Sequence, residues 1–293
     1  MFFKDVRDYQ ILFLASFLFL GISTKDWTLK PELIVVLLLT CLITQWANEE
    51  IKVYLSTQKF TLANPLNLPS LRSAVITGLG LSLLLRADSY LTMVLAGFLA
   101  ISSKFIFNFN NKHFFNPANF GIISVLTITS DAWVSPGQWG DDWWYALLFF
   151  GTGGIILKQV GRWDTSVIFL SAYAGLEAVR NIWLGWTMDV FLHRLMSGSL
   201  LLFALFMLTD PRSIPSAKSG RYVWVICIAV LTFVLRNQFF VSTAIFWALF
   251  ALAPLTVILD FIWNAPRFTW LQANDNSLLT IKNSLYSSGG VDV

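Results

Sequence analysis

The sequence predicts an all-α integral membrane protein of about ten transmembrane helices, arranged as two inverted five-helix repeats with short third and eighth helices. Three observations carry this. Of the 293 residues, 56% are hydrophobic and 13% charged, with a mean hydropathy of +0.65, whereas soluble domains carry roughly 25% charged residues; a soluble helical bundle would need more charged faces. Hydropathy divides the chain into ten apolar segments, judged against the roughly 20 residues that span a bilayer core of about 30 Å. Of the 20 basic residues, all but Lys25, Lys30, Arg86, Arg180, Arg194 and Arg236 fall on the side that holds the N-terminus. That excess marks the side as cytoplasmic.

The segments are approximately 9–24, 32–48, 73–86, 89–106, 118–131, 143–160, 165–184, 193–209, 221–237 and 240–263. The first ten residues, MFFKDVRDYQ, carry both signs of charge, and no small-x-small cleavage site follows, so the first segment reads as retained. An even number of spans puts both termini in the cytoplasm, in the inner (plasma) membrane. Residues 1–268 form one polytopic domain with repeats of about 1–131 and 143–268, and 269–293 a polar cytoplasmic tail. Five spans per half force the second half to enter from the opposite face. The loop 131–143 lacks Lys and Arg and is placed outside, its Trp residues at the headgroup level.

Several function classes drop out. The basic residues are scattered, with a net charge of +3, so nucleic acid is not a partner. Cys41 and Cys227 lack metal-ligand spacing and read as packing residues. His113 and His193 fall on opposite faces, which excludes a metal or catalytic pair between them. Glu177 and Arg180, three apart in the seventh segment, read as an internal ion pair near the outer interface. Pro254 predicts a kink in the last span.

The third segment contains Arg72-Ser73-Ala74-Val75-Ile76-Thr77-Gly78-Leu79 and the eighth His193-Arg194-Leu195-Met196-Ser197-Gly198-Ser199-Leu200. Each has a basic residue, then Thr-Gly or Ser-Gly, then an apolar run. Short segments at corresponding places in two halves point to a midplane binding site, because a helix starting inside the membrane aims backbone N–H groups at a polar or anionic ligand. Glycine is also the residue that lets membrane helices approach closely, and the GTGG run 151–154 is read that way. Two polar devices sit on the cytoplasmic face. In HFFNPANF, Pro117 suits a first helical turn, Asn116 can cap it, and Asn119 is read as solvated. In Leu208-Thr209-Asp210-Pro211, Asp210 before proline can form an Asx turn.

The order Thr77-Gly78, Asn116-Pro117-Ala118-Asn119, Ser197-Gly198, Thr209-Asp210-Pro211 resembles the family of the D subunit of the bacterial Rnf electron-transport complex and the B subunit of the sodium-translocating NADH:quinone oxidoreductase, over roughly residues 65–268. The resemblance implies a ten-helix inverted repeat that holds flavin and passes electrons while an ion gradient is built. It points to Thr77, Gly78, Asn116, Pro117, Asn119, Ser197, Gly198, Thr209 and Asp210 as cofactor-binding residues. Members linked covalently to FMN carry an Ala-Thr motif between the fifth and sixth helices; residues 127–140 here contain none. The expectation is therefore non-covalent flavin (FMN or riboflavin), with redox partner subunits and no metal. The alternative is a membrane permease for flavin or another small polar solute, which loss of the covalent motif also suits. A scaffold that passes reducing equivalents to a biosynthetic enzyme is a third reading.

Overall fold

A computed structural model describes residues 5–25, 30–58, 68–137 and 144–270. The expected tail beyond Trp270 and the loop tip 138–143 lie outside the described residues.

The chain is helical almost throughout. Helix α1 (Val6–Lys25) is followed by α2 (Pro31–Thr57), which starts on a proline at the position where no N–H is needed and ends where Gln58 turns left-handed, φ 55°. Helix α3 (Leu68–Leu84) runs into a two-residue strand, β1 (Leu85–Arg86). Ser89 caps α4 (Tyr90–Ile106) by accepting the Leu91 N–H. Strands β2 (Asn108–Phe109) and β3 (Lys112–His113) then form a hairpin turned by Asn110 and Asn111, φ 53° and 62°. Asparagine tolerates the two positive φ values that such a two-residue turn requires.

Helix α5 (Pro117–Ile128) begins on Pro117, as expected, and β4 (Trp133–Val134) returns antiparallel to β1. The second half contains α6 (Trp144–Val160), α7 (Trp163–Trp183), α8 (Met188–Leu195) and α9 (Gly198–Leu202). A π-helical turn, Phe203–Met207, continues α9, before α10 (Lys218–Asn237), α11 (Ala244–Leu252) and α12 (Leu255–Ile262). Helices α11 and α12 are one segment bent by 48° at Pro254, the kink the proline predicts.

Helices α1, α2 and α10 are each long and apolar enough to cross a membrane, and the bent α11–α12 pair would make a fourth. Five shorter apolar helices accompany them: Ser70–Leu84, Tyr90–Ile106, Pro117–Ile128, Trp144–Val160 and Gly198–Met207. With α7, these occupy all ten places where hydropathy put a segment. Large apolar side chains such as Phe19, Leu55, Val179, Ile182 and Phe261 face outward, a surface that suits lipid better than water.

In the first half α3 packs on α1 and α2, α2 on α4, and α4 on α5. In the second the π turn packs on α6 and α7, α7 on α10, and α10 on α11. The halves meet through α1–α6 and α5–α11. Gly78 permits one of these approaches: a Cβ there would lie 2.7 Å from Leu38 Cδ2 of α2. Of the GTGG glycines, Gly153 does the same toward Leu205, while a Cβ on Gly151 or Gly154 would meet nothing.

Two local expectations are corrected. The eighth segment is not continuous over 193–209: it breaks at Met196–Ser197, leaving His193 and Arg194 in α8. The break persists because another loop takes up the N–H groups it frees, as described below. Glu177 does not pair with Arg180. Its Oε2 accepts from Arg194 Nη1 at 3.0 Å and its Oε1 from Asn237 Nδ2 at 2.8 Å. Arg180 instead lies over the Trp186 ring, 4.6 Å from its centroid. Helical spacing brings the pair to one face, but buried Glu177 points into the bundle and the arginine stacks at its edge.

Candidate functional site

A cleft opens between the two halves, walled by α1, α3, the end of α6 and the segment Leu202–Met207. The enclosed cavity is small, about 100 Å³, below the roughly 300–1,000 Å³ of ordinary ligand sites, and the rest of the cleft is open to solvent. Most of the wall is apolar, with Leu14, Ile76, Leu83, Leu157, Leu205 and Phe206 among its residues. Polar groups gather at one end: Thr77 and Ser73 from α3, His113 and Asn116 before α5, and Thr209, Asp210 and Arg212 after the π turn. Arg7 and Trp270 border the cleft, with the Arg7 guanidinium 5.0 Å from the Trp270 ring centroid.

Asn116 has two functions. Its Oδ1 accepts the Asn119 N–H at 3.0 Å, capping α5, and its Nδ2 donates to the Met207 carbonyl at 3.1 Å, joining the first half to the π turn. That turn is held open in similar fashion by Ser166 Oγ, which donates to the Ala204 carbonyl at 2.6 Å, while Leu208 N–H bonds Phe203 O five residues back. Asp210 forms the expected Asx turn, its Oδ1 accepting the Arg212 N–H at 3.2 Å. Its Oδ2 lies 3.5 Å from His113 Nε2. Burial works to raise the Asp210 carboxyl, but the hydrogen bond and charge of His113, together with hydrogen bonds from the Arg212 N–H and Ser213, hold it below the ordinary carboxylate range.

Of the nine residues expected to form a site, Thr77, Asn116, Pro117, Thr209 and Asp210 line this cleft together. Gly78 faces α2 instead, and Gly80, two residues on, lines the cleft. Asn119 is not solvated: it is 1% exposed and donates through Nδ2 to the Phe246 carbonyl of α11 at 3.1 Å. Its position within the first turn of α5 gave no sign that a helix of the other half would cover it.

Ser197 and Gly198 lie at the opposite end of their segment, on a different partner. Gly198 N–H donates to Gly137 O at 2.9 Å, Ser199 N–H to Pro136 O at 3.1 Å, and Ser197 Oγ also to Pro136 O at 2.9 Å. The helix start expected to face a ligand therefore faces a loop carbonyl pair. Among the polar cleft residues, His113, Ser73, Arg7 and Arg212 were not in the expected site. His113 adjoins FNPAN, and that adjacency was the available signal.

Residues 129–268 match the family described as NQR2, RnfD, RnfE. Curated relatives agree. The chain is 26% identical over 230 residues to the D subunit of an ion-translocating oxidoreductase complex from Alcanivorax borkumensis, covering 56% of this chain and 66% of that one. It is 28% identical over 141 residues to the corresponding protein from Stutzerimonas stutzeri (46% and 38%), and 31% over 126 residues to that from Halorhodospira halophila (41% and 34%). The matches span less than two thirds of the length of these relatives. The family match takes in residues 202–210, which wall the cleft, and it is over residues 129–268 that this chain is similar to the NQR2, RnfD, RnfE family.

Proposed function

We propose that the chain is an RnfD-like membrane subunit of an ion-translocating oxidoreductase complex, and that its cleft holds flavin, FMN or riboflavin, without a covalent bond. The observation that carries this reading is the cleft itself, with apolar walls for a flat ring and a polar end built from both halves. The chemistry of the lining residues suits such a group, and its ring would lie partly in the open mouth of the cleft. Leu205, Phe206, Ile76 and Leu157 would flank the ring; Thr77, Asn116 and Thr209 offer polar atoms to its edge. Thr127 and Thr129 are turned into α5, their hydroxyls donating to the Ile123 and Val125 carbonyls, which suits non-covalent retention. A flavin there would supply one- and two-electron chemistry. The protein's part is to fix its orientation and shield it from water.

The two halves are read as inverted repeats in the inner membrane, both termini cytoplasmic, with the tail on the same side. The packing supports this: counting segments, 1–3, 2–3, 2–4 and 4–5 are neighbours in the first half, and 6–8, 7–8, 7–9 and 9–10 in the second. Redox partner subunits and coupled ion movement follow from the relatives' names and belong to the proposal.

Visible absorbance of the protein purified in detergent tests it. Flavin that co-purifies and is bleached by a reductant is the expected result. A colourless protein that moves labelled riboflavin into vesicles would replace this reading with the permease.

A further inference from the structure

His113 ends the β2–β3 hairpin and is 8% exposed, yet its ring lines the cleft. Nε2 faces Asp210, and Nδ1 makes no hydrogen bond among the described residues. The neighbouring charges each have other partners, although Arg7 and Arg212 also line the cleft and Lys104 acts on Asp210 through its charge. Lys112 of the hairpin donates to Asp260 of α12 and to the Ile214 carbonyl. Lys104 of α4 donates to Ser73 and Gln45. Arg7 of α1 holds Asp5, and Arg212 reaches the Asn111 carbonyl at 3.3 Å. The N-terminus of α5 opens on the same end, through Pro117 and Ala118, and adds positive potential there.

We propose that His113, backed by Asp210, brings an exchangeable proton to the polar end of the cleft and so favours an anionic ligand group there. This rests on the cleft being the flavin site. Histidine is the side chain whose charge ordinarily changes between pH 5 and 8. In the charged ring Nε2–H stays on Asp210 while Nδ1–H donates to the ligand's anionic atom. If that atom takes the proton, His113 returns to neutral and regains one from solvent; no electrons move. In the neutral ring, with Nε2–H still on Asp210, Nδ1 becomes an acceptor and repels the anion.

The test is an equilibrium titration of the full-length protein in detergent, following quenching of flavin fluorescence from about pH 5.5 to 8.5. The probes are 10-carboxymethylflavin, an anion across that range, and riboflavin, which lacks the carboxylate. The carboxymethyl probe is expected to bind about tenfold more tightly at the acid end, and riboflavin with little change. His113→Gln is expected to bind the anion at every pH as weakly as the wild type does at the alkaline end, and Asp210→Asn to show a shallower pH dependence. Binding of the anion by wild type that does not change with pH, or a pH dependence that survives His113→Gln, overturns the inference while leaving the flavin site standing. Failure of the wild type to bind either probe overturns both.

Discussion

The two ends of the segment Gly198–Met207 look alike in sequence, each a hydroxyl residue beside glycine or aspartate at the edge of an apolar run, but they are built differently. At the start, backbone N–H groups that could have met a ligand meet the carbonyls of Pro136 and Gly137. At the far end, carbonyls are taken by side chains from elsewhere, Asn116 on Met207 and Ser166 on Ala204, and the polar side chains Thr209 and Asp210 remain on a cleft. A helix terminus inside a membrane is a site only when the rest of the chain leaves it unfilled. The start is filled by the chain's own carbonyls and the far end borders the proposed flavin cleft, so changes at the two ends should separate stability from binding.

The largest expected effect lies at the structural end. Arg194, two residues before Met196, holds buried Glu177, and Arg194→Ala leaves that carboxylate without its cation. A loss of about 3 kcal/mol in detergent unfolding is expected. Gly198→Val is next: a Cβ at Gly198 would stand 2.7 Å from the Gly137 oxygen, and overpacking against backbone should cost about 2 kcal/mol, again by unfolding, with flavin affinity per folded molecule unchanged.

At the cleft end, Asn116→Ala removes the α5 cap and the bond to Met207 together, an expected loss of about 1.5 kcal/mol. Asn116→Asp keeps the cap acceptor but sets an oxygen against the Met207 carbonyl. It should fall between wild type and alanine if the cap dominates, and below alanine if the bond to Met207 does.

The smallest effect is pH-dependent. Asp131, which leads into the loop that fills the helix start, accepts from Thr92 Oγ1 at 2.7 Å and from the Ser89 N–H at 3.0 Å. The Thr92 hydrogen bond, chiefly, holds its carboxyl below the usual range. A lowered carboxyl stabilises the fold above the ordinary carboxylate range and loses that contribution as pH falls through its own lower value. Thr92→Val should therefore move the acid limb of a melting-temperature profile to higher pH.

Hydropathy located helical stretches because apolar length is a local property, though the eighth is broken, and Pro254 and the Asn116–Pro117 start were legible because proline and caps act within one turn. What escaped depends on residues far apart in the chain. The break at Met196 is sustained by Pro136 and Gly137; Glu177 chose Arg194 over its helical neighbour Arg180; and Asn119 became buried because α11 crosses it. His113 stands at the start of HFFNPANF, but the sequence did not show that Asp210, 97 residues on, would lie 3.5 Å from its ring.

Whether the ligand sits at the end of the segment marked by Asn116 and Asp210 is tested most directly by riboflavin fluorescence titration of Gly80→Leu. Gly80 lines the cleft, and a Cβ there would make only an ordinary contact with Ala118, at 3.8 Å, so a larger side chain is directed at the cleft. The expected result is a protein as stable as wild type whose flavin affinity falls at least about tenfold, the loss that 1.4 kcal/mol of lost binding produces, beside a destabilised Gly198→Val that binds normally. Undiminished affinity in a folded Gly80→Leu, with binding lost in Gly198→Val, would place the site at the other end and contradict it.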